Sequence, residues 1–409
     1  VEHPEAQASP AGVDAAPVPW APGPDAAVPV LAPRAKRRMG VVLAWCAGAL
    51  AVIVLAALAA FVHASADETF DAAQARLEFA AEEEADAHRA LTAAVSAAER
   101  SVLSGERIVA AASEELVHPD ARSALGEALA TLSGGADEAR AVLEDEVDDG
   151  DVRKPMWMWE LFAEASALDE RREAATSSAE DSSDVERTLD DRHDRLTETA
   201  VALYASTIAA ADALEAANVS ARAAAVLDFR DAADRVAQQD GVGSDAAVAF
   251  SLYATNAEIL ASSAQSELAE KAGPLLATRL EIEAYARSIA GGVVLDFDWA
   301  PVVAGTGGSR GIGGTAAWNS ARGGSSTITL SHSVAEWWPN ADSRALVTHE
   351  VGHAITSKCH DRFDSQDRDA NEEWATAWAI SMGHTAQGNG VQAYGHPSQE
   401  MIDLAATCR

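Results

Sequence analysis

Residues 345–355 read ALVTHEVGHAI, and the organisation of the chain follows from this stretch. His349, Glu350 and His353 form an H-E-x-x-H motif. On a helix, residues four apart lie on one face, one turn apart. Two imidazoles at that spacing can bind one tetrahedral zinc ion, and the glutamate beside the first can reach a water held there. Leu346, Val347 and Ile355 flank the trio, as a helix running through a core requires. Polar groups inside such an apolar run need partners, which argues against an exposed helix with two stray histidines.

Working outward from the motif, composition changes at Gly291-Gly292, and six of the ten tryptophans follow that point. Residues 293–299 (VVLDFDW) alternate Leu295, Phe297 and Trp299 on one face, the pattern of a half-buried strand. Residues 314–318 and 326–330 are further strand candidates. The glycine run 305–314 (GTGGSRGIGG) is expected to be a hairpin loop joining the first two strands. It carries no Lys-Ser/Thr and lacks G-x-G-x-x-G spacing, which excludes a phosphate loop. On the far side of the motif, Asn371-Glu372-Glu373-Trp374 opens a helical run, ATAWAISMG.

With these residues in place, 291–409 resembles the zincin metallopeptidases, and among them the gluzincins. The resemblance implies a zinc cofactor, Glu350 as general base, and a third ligand from a glutamate on a following helix. Glu372 and Glu373 stand 19 and 20 residues past His353. Glu372 is preferred because it shares its face with Ala375, Thr376 and Ala379, which suit close helix packing. Asp361 or Asp364 is the alternative. The metzincin pattern would need Gly at 356 and His at 359, where this chain has Thr356 and Cys359. Family members commonly place an Asp four residues past the ligating Glu; here that position is Thr376. The resemblance further implies oxyanion stabilisation by Tyr394 or His396, and an edge strand at 327–331 (TITLS) to pair with substrate. Cys359 and Cys408 are the only cysteines outside the apolar stretch near the N-terminus, and exported thiols tend to pair, so a bridge is expected.

Upstream, 66–290 is an acidic region of Ala, Glu, Asp, Arg and Leu, read as an antiparallel helical bundle or coiled coil that offers a surface for self-association. Leu189, Leu196, Leu203 and Ala210 recur every seven residues, flanked by Val185 and Leu214. Helix breaks are expected at Gly134-Gly135, at 148–150, at 177–183, at 241–243 and at Gly273-Pro274. Met156-Trp157-Met158-Trp159 reads as the buried start of a helix, with an exposed contact tip as the alternative.

Residues 40–62 (GVVLAWCAGALAVIVLAALAAFV) carry no charge and reach roughly 35 Å as a helix, enough to cross a bilayer. Arg34, Lys36, Arg37 and Arg38 precede the stretch, and Asp67, Glu68 and Asp71 follow it. The positive-inside rule then puts 1–39, a Pro/Ala-rich disordered tail, in the cytoplasm and the remainder outside. A leader cleaved after Ala64-Ser65-Ala66 is the rival, against which a charged region of 39 residues is long. The net charge of −34 removes the phosphate attraction that nucleic-acid binding needs. The expected architecture is therefore α+β: a single-pass transmembrane helix, a long all-α region and a terminal zincin-like domain with a small sheet. The expected function is a membrane-anchored, extracytoplasmic zinc metalloendopeptidase acting on peptide or protein substrates. The alternative is a cell-envelope spacer whose terminal domain binds zinc without catalysis.

Overall fold

Alanine-rich and free of proline, Arg38–Ala111 forms one helix, α1, of 74 residues. The apolar stretch and the acidic region after it, read apart in the sequence, are continuous in this element. The computed structural model describes residues 38–144 and 152–409. The tail expected over 1–39, as far as residue 37, and the break expected at 148–150 lie outside the described residues; Arg38 and Met39 already belong to α1.

The chain divides into two compact units. The first comprises the chain up to Asp71 with Lys154–Glu164. There the Lys154 ammonium lies 2.7 Å from Asp67 Oδ1, pairs with Asp71, and sits 5.5 Å over the Phe70 ring. Helix α3 (Met158–Ala217) begins in this unit. Its start corrects an expectation: Met156, Trp157 and Trp159 are exposed rather than buried, and the two indoles stack on each other at 5.3 Å. Among the described residues of α1, Ala44 onward includes an apolar window long enough to cross a membrane, none of it buried. Part of α3 also reaches that length and apolarity, but Leu196, Leu203 and Tyr204 are buried in a helical core.

The second unit holds the rest of the helices and the sheet. α2 (Pro119–Leu143), α4 (Ala223–Ala237) and α5 (Ser244–Glu270) pack with α1 and α3 around one core. Leu189, Leu196 and Leu203 are buried in it, as their seven-residue spacing predicts. Chain breaks occur at 241–243 and 273–274. The helices run straight through Gly134-Gly135 and 177–183, where breaks were expected. Packing overrides propensity there: the bare Gly135 backbone leaves room for the Arg192 side chain, which bonds Glu138 Oε2 at 3.0 Å. The serines near 180 cost little in a helix, and Ser182 is buried.

A second core forms around the sheet and the helices that follow. α6 (Leu276–Ile289) contributes Ile282 and Ala286. β1 (Val294–Ala300), β2 (Gly314–Asn319) and β3 (Ser325–Ser331) lie in the order β1-β3-β2. β1 runs parallel to β3 with Phe297 opposite Ile328, and β2 runs antiparallel with Ala316 opposite Ile328. Two expectations are corrected. The glycine run does not close a hairpin between β1 and β2, because β3 lies between them. TITLS is the central strand, not an edge: Ile328 and Leu330 are fully buried, whereas β2 is half-buried at best along its length. β1 also serves the helical region, since buried Asp296 Oδ2 accepts the first N–H of α4, from Ala223, at 2.8 Å.

After the sheet come α7 (His332–Glu336), α8 (Ala341–Cys359), α9 (Arg368–Ser381), α10 (Val391–Tyr394) and α11 (Gln399–Ala406). Asn340 caps α8 through the Ser343 N–H, and Asp367 caps α9 through the Ala370 N–H. Cys359 at the end of α8 is disulfide-bonded to Cys408.

Candidate metal centre

α8 and α9 meet at unusually close range. A Cβ on Gly352 would lie 2.9 Å from both the Cα and the carbonyl oxygen of Ala375. The Trp374 indole N–H donates to Gly352 O at 3.1 Å. The glycine inside H-E-x-x-H thus lets α9 approach, and that approach brings Glu372 to the histidines. Glu372 Oε2 stands 3.3 Å from His349 Nε2 and 3.2 Å from His353 Nε2. The three donor atoms lie within 4.8 Å of one another, a group that could hold a metal ion.

The opposite ring nitrogens are held as well. Asn371 Nδ2 donates to Ser365 O at 3.0 Å, which turns Asn371 Oδ1 toward His353 Nδ1 at 2.7 Å. His349 Nδ1 faces the carbonyl of Asn389 at 3.1 Å. Both Nδ1 atoms therefore donate outward, and both Nε2 atoms point to the shared centre. Burial works against charge on Glu372, but hydrogen bonds from His349 and His353 outweigh it and hold the carboxyl well below the usual range. Burial likewise opposes a charged His353, yet Glu372 and Glu350 raise it.

Glu350 is buried, and its Oε2 has no hydrogen-bond partner. Burial pushes its carboxyl up, against the pull of the two histidines. It fits only because β2 starts with a glycine: a Cβ on Gly314 would lie 2.5 Å from Glu350 Oε1. Beside it opens a cleft of about 550 Å³ whose lining includes Arg310, Ile312, Trp337, Leu346 and Tyr394. Tyr394 stacks on His349 with ring centres 5.9 Å apart, and burial pushes its hydroxyl up, with Glu372 adding to the rise. His396 does not line this cleft; its Nδ1 donates to Pro397 O at 2.9 Å. Glu373 turns away and accepts the Ser398 N–H at 3.2 Å. Asp361 and Asp364 are not in the donor group.

Asn371, Asn389, Gly314, Gly352 and Gly390 escaped the reading of the sequence. Asn371 directly precedes Glu372, and only that adjacency signals it. Gly390 lies at φ +96, and a Cβ there would come within 2.7 Å of His349 Cε1. Thr376, four residues past Glu372, is 3.5 Å from His349 Nδ1, so that histidine's main acceptor is the Asn389 carbonyl instead.

No family model matches the chain, and neither does any curated protein or solved structure. The structure supports a three-donor metal site beside a small mixed sheet, in a mostly helical α+β chain.

Proposed function

We propose that the protein is a membrane-anchored, zinc-dependent metallopeptidase of the gluzincin type, with its site outside the membrane. One observation carries the reading: a buried carboxylate oxygen without a partner, Glu350 Oε2, stands next to three convergent donors. Two neutral imidazoles and one carboxylate suit zinc, and three protein donors leave a tetrahedral position open. When bound, zinc would polarise a peptide carbonyl and make a water more acidic. His349, His353 and Glu372 would hold it. Glu350 takes the proton of the attacking water and delivers it to the leaving amine, a role that its raised pKa favours. Tyr394 stands where its hydroxyl can donate to the developing oxyanion. The cleft takes an extended peptide or protein segment. The apolar part of α1 crosses the membrane, and the Cys359–Cys408 bridge fits an oxidising exterior.

The test is metal content and turnover of a generic peptide library by the detergent-solubilised chain. Glu350→Gln should keep zinc and lose hydrolysis, because only the proton acceptor changes. Hydrolysis at a near-native rate in that variant would refute the mechanism. Stoichiometric zinc with no hydrolysis in the parent chain would favour the spacer reading.

A further inference from the structure

The exposed tryptophans before α3 have no role in the site, yet they lie in the same compact unit as the apolar part of α1. Met156 is 78% exposed, Trp157 55% and Trp159 59%. Large exposed apolar side chains grouped this way mark an interaction site.

Their height along α1 says what they meet. Lys154 ties this segment to Asp67 and Asp71, and its side chain lies over Phe70. Asp67 is five residues past Val62, where the apolar run ends, or about 8 Å of helix. Five residues inside the other end of the run stands Trp45, also exposed. From Trp45 to Asp67 the helix rises roughly 33 Å, while the hydrocarbon layer is about 30 Å thick and the whole bilayer about 40–45 Å. Asp67 and Lys154 thus fall at headgroup depth, and Trp157 is three residues from Lys154. Indole rings prefer this layer, with an apolar body and a polar N–H.

We infer that Met156, Trp157 and Trp159 form a lip that inserts into the interfacial layer of the bilayer α1 crosses, giving this unit a second lipid contact beside its span. The inference rests on the reading of α1 as a membrane span. Charge plays little part: Lys154 is matched by Asp67 and Asp71, and Glu160 follows the lip on the same helix. A zwitterionic lipid is therefore sufficient.

The test uses the full chain in phosphatidylcholine vesicles, with Cys46→Ser removing the free thiol. A nitroxide is placed by Met156→Cys, Leu55→Cys or Phe79→Cys, one at a time. Leu55 lies within the apolar run and Phe79 is an exposed α1 residue well beyond it. The Met156 label should lose at least about half of its access to a water-soluble nickel chelate relative to the Phe79 label, as an interfacial position does. Adding Trp157→Ser and Trp159→Ser should restore that access, and because both side chains are exposed, helix content should not change. A Met156 label as open to water as the Phe79 label, with Leu55 buried in lipid, overturns the lip and leaves the span. A Leu55 label in water overturns both. Spin–spin broadening at Met156 that grows with protein density would show that a second copy, not lipid, covers the tryptophans, and would also overturn the inference.

Discussion

Asn371→Ala isolates the control of one of the three candidate donors by a residue outside the donor group. Asn371 bridges Ser365 O and His353 Nδ1, so its amide orientation is forced: the carbonyl oxygen faces the imidazole. With that acceptor gone, His353 is free to take either tautomer and to rotate, and only one tautomer in one orientation offers Nε2 to the centre. Losing an outer partner of this kind costs about 10–100-fold in metal affinity, or about 1.4–2.7 kcal/mol. Asn371→Asp keeps an acceptor oxygen opposite Nδ1 and gives up only the bond to Ser365, so most of the affinity should return. Zinc affinity, measured at neutral pH by competition with a chromogenic chelator, checks both variants. An alanine variant that holds zinc as tightly as the parent would refute the orienting role. An aspartate variant as weak as alanine would trace the loss to the start of α9 rather than to the imidazole.

Four further outcomes rest on the same structure. Glu372→Ala should lose zinc at neutral pH while Glu373→Ala keeps it, because Glu373 is engaged with the Ser398 N–H; zinc analysis of the purified chains decides. Gly352→Ala would push a methyl against the Ala375 backbone, which cannot rotate away, and should cost about 1–3 kcal/mol and loosen zinc together. Gly134→Ala meets nothing within 4 Å and should instead stabilise the helical core by up to about 1 kcal/mol, both being read from denaturant midpoints. Removing the Cys359–Cys408 bridge, whose ends are 49 residues apart, should destabilise the folded chain by up to about 4 kcal/mol in the chain-entropy account. Two alkylatable thiols in native material, in place of linked peptides by non-reducing mass spectrometry, would show that no bridge forms.

What could be read without coordinates was what local chemistry sets. The H-E-x-x-H spacing determines that two imidazoles share a helix face, because 3.6 residues make a turn. The seven-residue leucine stripe determines a buried seam, and the alternation at 293–299 points to a strand. The choice of Glu372 over Glu373 also came from faces of a helix. What needed the tertiary structure was every feature set by one element approaching another. Which strand is central depends on which one is buried from both sides, and alternation looks the same in TITLS and in an edge. Gly134-Gly135 and the serines near 180 look like breaks because propensity is local, but Arg192 and the packed core hold those helices through them. The indoles of Trp157 and Trp159 looked like core, since apolarity alone cannot tell a buried face from an exposed one. Asn371 and the Asn389 carbonyl, which set both histidine tautomers, come from separate segments, and the acceptor at His349 is backbone, which no side-chain pattern can reveal.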